Sequence, residues 1–64
     1  MDIKDMIVQV VYESAGGLYP LEIAEAVSKR FQTQVTSRQV EQIIRKNPKL
    51  FVEENGKIKR PTDY

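Results

Sequence analysis

Residues 35–58 read VTSRQVEQIIRKNPKLFVEENGKI, and two signals within them decide the fold. The first is Thr36-Ser37-Arg38-Gln39, a hydroxyl three residues before a glutamine. This is the capping-box spacing, in which cap and side chain each satisfy a backbone N–H of the other. Val35 and Val40 flank it at the hydrophobic-staple positions. A helix is predicted over about residues 37–47, burying Val40, Ile43 and Ile44 and stopped by Asn47-Pro48. The second signal is Asn55-Gly56 between two extended runs. A type I′ turn needs positive φ at both central residues, and Asn-Gly supplies it. A hairpin over about residues 50–60 follows, anchored by Phe51 and Ile58, with Pro61 ending the pairing and 61–64 left as a tail. A lone hairpin is marginal in water, so it must pack on helices.

Upstream, Ile3, Met6, Ile7, Val10 and Val11 carry the spacing of an amphipathic helix over about 2–14. Four of the residues between 7 and 11 are β-branched, which suggests a strand. The absence of alternation decides for helix. Asp2 is the expected N-cap, Asp5 suits the positive end of the helix dipole, and Gly16-Gly17 is expected to supply a left-handed C-cap. Tyr19 precedes Pro20 and is pushed toward extended backbone. Pro20 then opens a second helix over about 20–31, with Ile23, Ala24, Val27 and Phe31 on one side. Glu22 and Glu25 lie early in it and Lys29 and Arg30 late, matching the dipole at both ends.

The composition narrows the function classes. The chain has 64 residues, enough for one small core, so a single domain over 1–64 is expected. Ten basic and nine acidic residues give a net charge of +1, which excludes a polybasic or acidic disordered tail. With no Cys and no His, disulfides, thiolate metal sites and the commonest general base are absent together. No catalytic residue, cofactor, metal or small-molecule substrate is expected. Ser14, Ser28 and Ser37 have no His to activate them, and Ala15-Gly16-Gly17 is too short for a phosphate loop. No apolar run is long enough to span a membrane, and the mixed-charge N-terminus is unlike a signal peptide. An intracellular chain is expected, cytoplasmic or nucleoid-associated, or nuclear in a eukaryote.

The order helix, short extended piece, helix, turn, helix, hairpin resembles a winged helix-turn-helix domain over residues 2–60, mainly α with a two-stranded wing. The runs GGLYPLEIAEAV (16–27) and VEQIIRKNPKLFVEENGKI (40–58) are especially similar to small winged helices of the linker-histone or HARE type. The resemblance implies double-stranded DNA as partner, with the third helix in the major groove and the hairpin on adjacent backbone. A transcription regulator, or the DNA-engaging part of a larger assembly, would use such a module.

The residues can be set against that expectation. With Arg38 at 0° on a helical wheel, Gln42 falls near ~40°, Arg45 near ~340° and Glu41 near ~300°, opposite Val40, Ile43 and Ile44. Arg can fork onto guanine and Gln onto adenine, and either can hold phosphate. Arg38, Gln42 and Arg45 are therefore the candidate groove contacts. Thr36, Ser37 and Lys46 are candidate flanking phosphate contacts, Ser37 because a helix N-terminus offers free N–H groups. Lys57, Lys59 and Arg60 are candidate wing contacts. An ordinary solvated helix face and lysine protection of a strand edge explain the same residues without a ligand.

Charge is uneven along the chain. Residues 1–35 carry three basic and five acidic groups, and residues 36–64 carry seven and four. The positive excess lies in the half with the third helix and the wing. The competing reading is a winged helix that binds protein, docked through Val8 and Tyr12 on the outer side of the first helix. Those residues are also where a homodimer or a neighbouring domain would sit; Tyr19 and Tyr64 would add to such a patch, unless Tyr19 lies in the core. A single-strand or RNA role is poorly supplied, since Trp is absent and surface aromatics are not clustered.

Overall fold

The computed structural model describes residues 1–62; Asp63 and Tyr64, and with them half of the expected tail, lie outside the described residues. Three helices precede a two-stranded antiparallel hairpin: α1 (Ile3–Glu13), α2 (Pro20–Phe31), α3 (Ser37–Lys46), β1 (Val52–Glu54) and β2 (Lys57–Lys59). The helices match the expected ones to within a residue or two, whereas the strands are shorter than the 50–60 span.

Local chemistry explains each boundary. The Asp2 carboxylate accepts from the Asp5 N–H at 2.9 Å and caps α1. Tyr19 is extended before Pro20, and the Glu22 carboxylate accepts from its N–H at 2.8 Å. Both halves of the α3 box are formed: the Gln39 N–H donates to Thr36 Oγ1 at 3.2 Å, and the Thr36 N–H to Gln39 Oε1 at 2.9 Å. Ahead of it, the Ser28 hydroxyl brackets Val35, accepting from its N–H at 3.2 Å and donating to its carbonyl at 3.4 Å. That pair of contacts fixes the turn between α2 and α3. Asn55 and Gly56 both have positive φ, 56° and 84°, as a type I′ turn requires.

The core is Ile7, Val10 and Val11 of α1, Ile23, Ala24 and Val27 of α2, Val35, Val40 of α3, Phe51 and Ile58. α2 packs against both α1 and α3. The hairpin is joined to the helices by backbone: the Leu18 N–H donates to the Ile58 carbonyl at 3.0 Å and the Ile58 N–H to the Leu18 carbonyl at 2.7 Å. β2 therefore has β1 on one side, in the register Val52↔Lys59, Glu53↔Ile58 and Glu54↔Lys57, and Leu18 on the other. At Ile58 it is not an edge, which weakens the edge-protection reading of its lysines.

Three expectations are corrected. Gly16-Gly17 does not cap α1, which ends on extended Ser14. Gly17, at φ 81°, belongs to the turn into Leu18. A Cβ there would lie 2.7 Å from Lys59 Cγ and 3.3 Å from the Ile58 carbonyl oxygen, so glycine is needed for backbone conformation and close approach alike. Val8 and Tyr12 are not on an open face. Both are half-buried against the core, and the Tyr12 hydroxyl donates to the Leu50 carbonyl at 2.9 Å, because the turn after α3 folds back over that flank. Ile43 and Ile44 are only half-buried; Val40 alone of α3 is fully enclosed.

Outside the core, Arg30 on α2 makes a two-pronged ion pair with Glu13 at the end of α1 and lies 5.4 Å from the Phe31 ring centroid. The hydrogen bond from Arg30 holds the Glu13 carboxyl below the usual glutamate value; desolvation opposes it, and the Arg30 charge adds a lesser lowering effect.

Two predictions follow from these contacts. Gly17→Ala should destabilise the fold by more than about 1 kcal/mol, whereas Gly16→Ala, with open space around it, should be neutral or stabilise by up to about 1 kcal/mol; urea unfolding of the two variants decides. Glu13 is acidified in the folded state, so its contribution is present above the ordinary glutamate pKa and lost as pH falls through the depressed value. Glu13→Gln should accordingly lower the urea midpoint at neutral pH and match the parent in acid, and equal midpoints at neutral pH would contradict the pairing.

Candidate nucleic-acid interface

α3 presents its polar face because its opposite side carries the staple and the Val40 anchor. Arg38, Glu41, Gln42, Arg45 and Lys46 are all exposed, and Ser37 is half-buried at the first turn. The side chains of Arg38, Gln42, Arg45 and Lys46 make no ion pair or hydrogen bond to any described residue. Their donors are open to solvent. The Thr36 hydroxyl is in a different condition. It accepts from Gln39 within the cap, so a phosphate contact from Thr36 competes with helix capping. The Ser37 and Arg38 N–H groups of the first turn have no intrahelical acceptor, as at any helix start.

The three wing cations differ from one another. Lys59 is hydrogen-bonded to Glu54 at 2.5 Å, diagonally across the hairpin, and that bond holds the Glu54 carboxyl below the usual glutamate value. Lys57 Nζ lies 5.5 Å from the centroid of the Tyr19 ring, within cation–π range. Arg60 is exposed and has no ion-pair partner among the described residues. Glu53 and Glu54 lie across the Asn55-Gly56 turn from these cations; sequence spacing alone does not assign Glu54 to Lys59, because a diagonal pair depends on strand twist and rotamer.

A groove joins the two halves of the site. It is lined by Pro20 at the start of α2, Glu41, Ile44 and Arg45 of α3, Glu53 of β1 and Ile58 of β2. Half-buried Ile44 forms part of its floor, which accounts for the incomplete burial of that residue. The two carboxylates beside Arg45 lower the local positive potential without pairing to it. Arg38 and Arg45 thus share an outward face that leads across this groove to the wing.

Tyr19 was expected in a dimer or neighbouring-domain patch, not among the DNA contacts. It is 47% exposed, its hydroxyl has no hydrogen-bond partner among the described residues, and a Cβ on Gly56 at the hairpin turn would meet its ring at 3.4 Å. Its place before Pro20 set its backbone and not the neighbours of its side chain. Among the described residues no three acidic side chains are grouped to hold a metal ion, and no helix is long and apolar enough to cross a membrane. No family model matches this sequence, and neither curated proteins nor solved structures give a significant match.

Proposed function

We propose that the chain is a DNA-binding winged helix, similar to the small linker-histone-like or HARE-like domains, serving as a transcription regulator or as the DNA-engaging part of a larger assembly. α3 enters the major groove, with Arg38, Gln42 and Arg45 toward base edges and Ser37, Thr36 and Lys46 toward flanking phosphates. Lys57, Lys59 and Arg60 meet the neighbouring backbone, Lys59 exchanging Glu54 for phosphate. The observation that carries the reading is the unpaired cationic face of α3: two guanidinium groups, an amide and an ammonium, all exposed and none committed to a neighbour. Ion pairing with nearby carboxylates would have silenced this face, and Glu41 and Glu53 stand close without doing so. Net charge of +1 makes the affinity modest and dependent on few phosphates.

One observation favours a protein-binding winged helix instead. Leu21 is 60% exposed at the rim of a shallow groove that includes Ala24, Ser28 and Val35. Under that reading generic duplex DNA does not bind even at about 50 mM salt.

The DNA reading makes a quantitative prediction. Arg38→Ala and Arg45→Ala should each weaken duplex binding by about 1–3 kcal/mol where they read bases, while Lys46→Gln should weaken all sequences alike and flatten the salt dependence by about one phosphate. Fluorescence anisotropy at two salt concentrations measures both. Unchanged affinity of the double arginine variant removes α3 from the interface.

A further inference from the structure

Residues 17–19, β2 and β1 form one small layer with two faces. Leu18 and Ile58 pair on the face toward the helices. Strand alternation puts Tyr19, Lys57, Lys59, Val52 and Glu54 on the other. Val52 is 42% exposed and Tyr19 47% exposed. Within this face Lys59 is paired with Glu54 and meets a phosphate only by giving up that bond, so the cation with no carboxylate to exchange is Lys57, held over the Tyr19 ring. The position matters as much as the chemistry. Tyr19 lies close enough to the hairpin turn that a Cβ on Gly56 would meet its ring at 3.4 Å, and it precedes Pro20, which lines the same groove as Arg45. It therefore sits between the two halves of the interface.

We infer that Tyr19 and Lys57 together form a phosphodiester-binding element that links the α3 contacts to the wing; this rests on the DNA reading above and extends its footprint to a residue that reading leaves out. The ring holds the ammonium at its face, which lowers the conformational freedom lost when Lys57 meets a phosphate. The ammonium keeps its remaining N–H donors for the phosphate oxygen. The Tyr19 hydroxyl, without an internal partner, donates to the same or the next phosphate. The footprint is then continuous from residue 37 through Tyr19 to Lys57.

The test is anisotropy titration of a short labelled duplex with the full chain, at about 50 and 200 mM salt, for Tyr19→Phe, Tyr19→Ala, Lys57→Gln and the Tyr19→Ala/Lys57→Gln pair. Tyr19→Phe keeps the ring and loses only the hydroxyl; it should weaken binding about two- to tenfold. Lys57→Gln should reduce the salt slope by about 0.9, one phosphate. Tyr19→Ala should weaken binding further than Tyr19→Phe, and its effect should not add to that of Lys57→Gln, because the ring acts partly by placing the ammonium. Circular dichroism checks that Tyr19→Ala is folded; if it is not, Tyr19→Phe and Lys57→Gln decide. Parental affinity and slope in both, alongside weakened binding by Arg38→Ala/Arg45→Ala, overturn this element and the Lys57 backbone contact and leave the α3 contacts of the DNA reading standing. Absence of duplex binding by the parent at the lower salt overturns both.

Discussion

The reciprocal hydrogen bonds between Leu18 and Ile58 hold the rest of the molecule's functional geometry in place. Two strands of three residues cannot sustain themselves in water. Joined through Leu18 to the segment that becomes α2, and anchored by buried Phe51 and Ile58, they become part of the core layer. The joint also explains Gly17. A side chain at that position would push Lys59 and the Ile58 carbonyl away from the segment they must approach. Loosening this joint frees the hairpin from the helical core, α1 under β2 included, and the hairpin loses its fixed place across the groove from α3.

α3 is held more lightly than its apolar pattern suggests. Val40 is its one fully enclosed side chain, helped by the box at Thr36 and Gln39 and by the Ser28 clasp on Val35. A helix seated this way can turn a long polar face outward, and Ile43 and Ile44 remain half-buried at its flanks. The electrostatics are balanced rather than strongly positive. Glu54 occupies Lys59, and Glu41 and Glu53 stand near Arg45. On the proposed reading, such a surface would bind a polyanion by placing a few donors well, not by a broad field.

What was legible in the sequence was local and backbone-driven. The capping box, the Asn-Gly turn and Pro20 at a helix start each have one dominant solution, and each is observed. Legibility failed where a residue's fate depends on a distant segment. Val8 and Tyr12 look outward on a wheel, yet the turn carrying Leu50 returns across them. Gly17 reads as a helix cap until β2 is known to lie beside it. The α3 candidates were readable because period alone sets which side they face. The unequal standing of Lys57, Lys59 and Arg60, and the presence of Tyr19 among them, needed the strand register.

The most direct test of a single nucleic-acid face built from α3 and the wing is an NMR titration of the 64-residue chain with a short DNA duplex, following every backbone amide. The account predicts salt-sensitive shifts gathered on residues 36–46 and 55–60 and around Tyr19, with α1 unmoved. Shifts confined to α1, or none at low salt, would contradict it.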